Sequence, residues 1–230
     1  MDNSLAQGIA AYDRKEYSDA IVLLLPLAEA GDKEAQYYMG RMFRYGQGVA
    51  QSYEQSLAWF QRAAQAGQAY AQYFLGSAHF IGRGVEKSYA KARMWLNASA
   101  NGGCARAVAY IGFLYMTGRG VTQSYTRAFE HFLRAYDQSG DSYAACSLGW
   151  LYENGYGVTK DLARARQLYE ESADNGYDQA LFNLATLYLN GVGVAPDEAT
   201  ARMLLQQAAS QGHYESKALI ESLNQQKKDN

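Results

Sequence analysis

The sequence predicts an all-α fold, a right-handed superhelical α-solenoid of about 13 antiparallel helices. Three glycine series carry that prediction. Gly-x-Gly-Val recurs five times, starting at Gly46, Gly82, Gly118, Gly155 and Gly191, with spacings of 36, 36, 37 and 36 residues. A second series runs through Gly31, Gly67, Gly103, Gly140, Gly176 and Gly212. A third runs through Gly40, Gly76, Gly112 and Gly149, with Ala185 in the fifth place. Together they hold 20 of the 22 glycines, so glycine is punctuation at a fixed period, as in stacked repeats.

Each element follows from local pattern. Residues 1–31 read as a degenerate helix pair, marked first by Leu5, Ile9 and Tyr12 and then by Ala20, Leu24, Leu27 and Ala28. Pro26 is expected to bend the second of these helices locally. Five full repeats follow, at 32–67, 68–103, 104–140, 141–176 and 177–212. In the first of them, Ala35, Met39, Gly40, Met42 and Phe43 recur at helical spacing over Asp32 to Tyr45. Gly-x-Gly then ends the helix, because the chain leaving it needs positive φ. Ser52, Ser88, Ser124, Asp161 and Asp197 fall at one equivalent place and read as N-caps of the second helices. Leu57, Phe60, Ala63 and Ala64 give the second helix its apolar stripe. A capping helix at 213–226 closes a single solenoid domain spanning 1–226, and 227–230 reads as a frayed tail.

Composition removes several functions. The 230 residues carry 21 basic and 23 acidic side chains, a net charge of -2, whereas a general nucleic-acid binder needs a basic stripe. No run of 18 apolar residues exists, so no membrane insertion is expected. Met1-Asp2-Asn3-Ser4 lacks the basic start and apolar core of a signal peptide. The expected location is cytoplasmic, or periplasmic where a signal peptide has been removed. Cys104 and Cys146 fall at different points of the repeat and read as free, buried thiols, suited to a reducing compartment. Neither metal nor cofactor is expected, and the oligomeric state stays open.

Candidate chemistry is sparse. The Gly-x-Gly turns follow helices, recur five times and lack the Lys-Ser/Thr of a phosphate loop, so they read as structural turns. His79 takes the aromatic slot that Phe43, Tyr115, Tyr152 and Tyr188 fill in other repeats. His131 takes the slot of Trp59, Trp95, Leu168 and Leu204. Both read as packing residues, and His213, opening the last helix, is expected to be exposed. No Ser or Cys lies in a recognisable nucleophile motif, so no catalytic residue is assigned.

Ala35-Gln36-Tyr37-Tyr38-Met39-Gly40, Gly46-x-Gly48-Val49, Ala58-Trp59-Phe60 and Ala63-Ala64-x-x-Gly67 resemble the Sel-one-like repeat, a family within the tetratricopeptide superfamily. The resemblance covers nearly all of residues 1–226. It implies a protein-binding scaffold, since most members are scaffolds or adaptors. Some bacterial members are immunity proteins that neutralise a secreted toxic effector. Others resemble secreted β-lactamase-like proteins rich in paired cysteines, which this chain lacks. The reading is therefore a non-enzymatic scaffold for a peptide or protein. The alternatives are an immunity protein and, disfavoured, a cell-wall-related hydrolase.

The resemblance also directs attention to the first helices, whose polar-side stripe lines the concave groove of tetratricopeptide-like arrays. Counting from the third-series glycine, offsets -6, -3, -2, +1, +4 and +5 share that stripe, about 120° wide by ideal helix geometry. It is aromatic and basic where a solvated face would be polar. The partner-binding candidates are Tyr38, Arg41, Phe74, Arg106, Tyr110, Phe113, Trp150 and Asn183. Aromatics there would take apolar side chains, and Arg41, Arg44 and Arg106 would take carboxylates. Phe74, Tyr110, Phe113 and Trp150 are expected to form one aromatic surface. The alternative for each ring is packing against the next repeat.

Overall fold

The structure, a computed structural model, describes residues 4–229, with side chains through residue 225. Every regular element among them is an α-helix. The order is α1 (Ser4–Asp13), α2 (Tyr17–Glu29), α3 (Lys33–Tyr45), α4 (Tyr53–Gln65), α5 (Ala69–Ile81), α6 (Tyr89–Asn101), α7 (Ala105–Thr117), α8 (Tyr125–Ser139), α9 (Ser142–Asn154), α10 (Leu162–Asp174), α11 (Asp178–Asn190), α12 (Glu198–Ser210) and α13 (Tyr214–Asp229). Contacts divide the chain into two compact units, unit 1 up to Ile111 and unit 2 from Gly112, the division falling within α7.

The repeat builds one helical hairpin many times. At its tip, Gly46 turns left-handed at φ 65°, and the Gln47 N–H closes back on the Met42 carbonyl. The second glycine of the turn is needed for space as well: a Cβ on Gly48, at φ 72°, would lie 2.8 Å from the Tyr17 Cβ of α2. The Ser52 N–H then reaches the Phe43 carbonyl at 2.9 Å, while the Ser52 side chain accepts from the Gln55 N–H. Further along, the Ser56 hydroxyl donates to the Gly40 carbonyl at 2.8 Å. The pairs 43–52 and 40–56 run in opposite chain directions, so α3 and α4 are antiparallel. The backbone closure recurs at Ser88–His79, Ser124–Tyr115, Asp161–Tyr152 and Asp197–Tyr188. All five predicted N-cap side chains accept the expected backbone N–H.

Helix pairs close tightly because their crossing points carry glycine. A Cβ on Gly40 would lie 2.6 Å from the Phe60 ring, on Gly76 2.7 Å from Leu96, and on Gly149 2.7 Å from Tyr169. Gly8 does the same in the first pair, where a Cβ would lie 2.7 Å from Leu24. It sits outside the three glycine series, because the first pair is shorter than a full repeat.

Unit 1 packs around Ala11, Leu24, Met39 and Met42 and, next along the chain, around Tyr37, Phe60 and Leu75. Helix α2 is continuous through Pro26. Unit 2 packs around Tyr169, Leu181, Leu187 and Leu205, with Leu219, Ile220 and Leu223 of α13 against them. The opposite side of α13 is polar. Glu221 stands where the first four full repeats have glycine and the fifth has Ala185, and Lys217, Glu221 and Asn224 are exposed. Helix α13 continues to Asp229, beyond the expected end at 226; Asn230, the last residue of the expected tail, lies outside the described residues.

One expectation is overturned. His213 is 7% exposed, not solvent-facing. It occupies the place of Asp32, Gln68 and Asp141, directly after a closing glycine, and it acts as they do. Its Nδ1 accepts the Ser216 N–H at 3.2 Å, capping α13, and its Nε2 meets the Gln179 Oε1 at 3.2 Å.

Candidate functional site

The register of the first helices fixes what each unit presents. In unit 2, the stripe of α7, α9 and α11 surrounds an open depression of ≈ 460 Å³. Phe113, Tyr125, Tyr143, Trp150 and Tyr177 form its aromatic walls. Its polar lining is uncharged: Thr117, Ser147, Gln179 and Asn183, together with the Cys146 thiol. The rings support one another. Trp150 lies 6.1 Å from Tyr125 and 5.2 Å from Tyr156, Tyr125 stacks on Tyr156 at 4.7 Å, and Tyr143 meets Tyr177 edge-on at 6.1 Å.

A directed hydrogen-bond chain holds the polar side. Gln179 Nε2 donates to Asn183 Oδ1 at 3.0 Å, and Asn183 Nδ2 donates to the Cys146 sulfur at 3.5 Å. Because His213 Nδ1 is an acceptor, Nε2 carries the proton toward Gln179 and fixes the orientation of that amide. Beneath the groove, the buried Tyr169 hydroxyl donates to Glu153 at 2.7 Å. Burial pushes the Cys146 thiol up to about 12, with Asp178 and Glu153 adding to the shift, so this cysteine is a poor nucleophile. Burial also pushes Tyr177 up to about 12, with Asp178 and Asp141 among the contributing carboxylates.

Unit 1 presents a different face. Tyr38 packs edge-on against Tyr12 at 5.0 Å and Tyr37 at 5.4 Å, and the Arg41 guanidinium lies 4.8 Å from the Tyr12 ring centroid. Phe74 stacks on the core ring of Phe60 at 4.7 Å, with Arg44 4.9 Å from its centroid. Tyr110 stands edge-on to Phe80 at 5.3 Å and to Tyr73 at 6.1 Å. Among the described residues neither Arg41 nor Arg44 has a carboxylate partner. Arg106 is exposed. A nearby notch bounded by Arg44, Tyr53 and Arg83 holds only ≈ 10 Å³, room for about one water.

Seven of the eight candidates fall into two settings, and Arg106, exposed on α7, joins neither. Phe113, Trp150 and Asn183 line the open groove of unit 2. Tyr38, Arg41, Phe74 and Tyr110 belong to ring packing between successive first helices of unit 1. Sequence reasoning omitted Tyr125 and Tyr177, which lie outside the first-helix stripe it followed. Both could have been found by asking which aromatics begin the second helix or cap the first.

His79 and His131 serve packing. His79 is buried, with Nδ1 3.2 Å from the Glu86 carbonyl oxygen. His131 stacks on Tyr115 at 5.4 Å, and burial together with Arg134 lowers its pKa. One hydroxyl does meet an imidazole: Ser216 Oγ lies 2.9 Å from His213 Nδ1. Ser216 is 0% exposed and that nitrogen already caps α13, so the pair is a helix start that meets the groove lining through the His213 contact to Gln179.

Comparison with known proteins places this architecture. The family model described as Sel1 repeat matches residues 33–68, 69–104, 105–140, 142–177 and 178–213. The chain belongs to the Sel1 repeat family. Among solved structures, a Sel1 repeat protein from Oxalobacter formigenes is 30% identical with a TM-score of 0.79, over 92% of this chain and 86% of that one. The protective antigen c5321 of uropathogenic Escherichia coli, which displays an SLR fold, is 29% identical with a TM-score of 0.71, over 93% of this chain and 46% of that one. The immunity protein PA5088 of Pseudomonas aeruginosa is 18% identical with a TM-score of 0.61, over 89% of this chain and 81% of that one, a likeness of fold. A search of curated proteins gives no match. Sel1 repeat folds are typically non-catalytic scaffolds for protein–protein interaction. No helix among the described residues is long and apolar enough to cross a membrane.

Proposed function

We propose that this chain is a non-enzymatic scaffold that holds a peptide or protein partner on its first-helix faces, with the groove of unit 2 as the main contact. The observation that supports this most is the aromatic lining of an open ≈ 460 Å³ depression around Phe113, Trp150 and Asn183. Rigid rings give large contact area at small entropic cost, and such rings with short polar groups are the usual centre of a protein interface. Asn183 and Gln179, held by their hydrogen-bond chain, are suited to a partner's backbone amides. On unit 1, the guanidinium groups of Arg41, Arg44 and Arg106 are suited to acidic side chains. An immunity role has likeness of fold alone behind it and is not adopted.

The test is site-directed photo-crosslinking in the native host. A photoreactive phenylalanine replacing Thr117, in the groove lining, should capture a discrete partner. The same group at Gln167, exposed on α10, should not. Capture from Gln167 alone would overturn the groove as the contact.

A further inference from the structure

The two units differ in charge as well as shape. Unit 1 has 11 basic and 9 acidic residues, a net +2, and unit 2 has 10 basic and 14 acidic residues, a net -4. The rings of unit 1 carry the chain's own cations: Arg41 lies over Tyr12, Tyr37 and Tyr38, and Arg44 over Phe74. In unit 2, none of the eleven groove-lining residues is charged. Arg119 lies over Phe113, but among the described residues no ammonium or guanidinium of the chain lies over Tyr125, Trp150 or Tyr177.

At the Tyr177 and Cys146 end of the groove, the charged side chains that act on the lining are carboxylates. Asp178 and Asp141 act on Tyr177, and Asp178 and Glu153 act on Cys146, so carboxylates reach the groove lining electrostatically from α9, α11 and the α9 N-cap. Aromatic faces attract cations through their quadrupole, and flanking carboxylates strengthen that attraction in a partly desolvated site. Resting on the scaffold reading above, we infer that the groove of unit 2 receives a cationic side chain of the partner, a lysine or arginine seated between the Tyr125–Trp150 and Tyr143–Tyr177 ring pairs. The preference follows from charge complementarity. An acidic side chain would face both the rings and the carboxylates, and a neutral one would leave their field unused.

The full chain is titrated with two short neutral-backbone peptides, one with a central trimethyllysine and one with its uncharged tert-butyl isostere of the same shape. The Trp150 indole N–H resonance, assigned with Trp150→Phe, reports occupancy. The cationic peptide should shift it saturably and bind about fivefold or more tightly than the isostere. Asp178→Asn should narrow that ratio without changing the helical signal, since the Asp178 carboxylate accepts the adjacent Gln179 N–H and is not the N-cap of α11. Equal binding of the two peptides would overturn the cationic preference while leaving a peptide groove in place. No shift with either peptide would overturn the inference, whereas failure of the Thr117 crosslink bears on the scaffold reading alone.

Discussion

Arg41 in unit 1 and Trp150 in unit 2 hold the same register, one residue after the crossing-point glycine. Arg41 lies across its own neighbouring tyrosines, while Trp150 faces an open depression. The difference arises three residues earlier on the same stripe. At offset -2, unit 1 has Tyr38, Phe74 and Tyr110, whose rings fill the space between successive first helices. Unit 2 has Ser147 and Asn183. Short polar side chains there leave the volume that large rings occupy in unit 1. One framework thus yields a closed aromatic face or an open groove according to a single column of residues.

The largest expected effect tests whether the framework is shared. Gly40→Leu in unit 1 and Gly112→Leu in unit 2 should each lower stability by about 1–3 kcal/mol in chemical denaturation, through overpacking. A Cβ at these sites would already lie 2.6 Å from Phe60 and 3.0 Å from Phe132. A large loss in one unit and none in the other would break the common-framework premise. Next, Phe74→Ser, which gives unit 1 the short side chain of unit 2, should cost about 2 kcal/mol, because its ring stacks on the core ring of Phe60. The converse change, Ser147→Tyr, should fill the groove. It should weaken partner binding about tenfold in calorimetry while moving the melting temperature little.

The smallest effect concerns His131 of unit 2. Burial and Arg134 lower its folded-state pKa below the usual 6.5, so the unfolded chain binds the proton more readily in the window beneath that value. This contribution to stability is complete above about pH 6.5 and falls as the pH drops through the window. His131→Leu, the residue found at the equivalent Leu168 and Leu204, should flatten that slope. An unchanged slope would assign it to other groups.

Much of the framework is legible in the sequence because it depends on backbone geometry. Gly46 and Gly48 need positive φ, Ser52 must cap, and Gly40 must admit Phe60; each requirement restricts the residue itself. The groove is less legible. Phe74, Tyr110, Phe113 and Trp150 share a helical stripe, but periodicity cannot say whether a ring lies on a neighbour or beside an open space. That depends on side-chain volume at other positions, here Ser147 and Asn183. His213 illustrates the same limit: its place at a helix start suggests exposure, yet the column of Asp32, Gln68 and Asp141 marks it as a cap, and its ring is buried.

The most direct measurement of the central claim pairs binding and folding on one variant, Trp150→Ala, with Tyr110→Ala beside it. The open groove predicts that Trp150→Ala keeps the helical circular dichroism and the melting temperature close to the parent's, while weakening binding of the partner captured through Thr117 at least tenfold, about 2 kcal/mol or more for a central aromatic. Tyr110→Ala, packed against Phe80 and Tyr73, should lose stability as well. Full binding by a destabilised Trp150→Ala would contradict the account, making Trp150 a packing residue and placing the contact elsewhere.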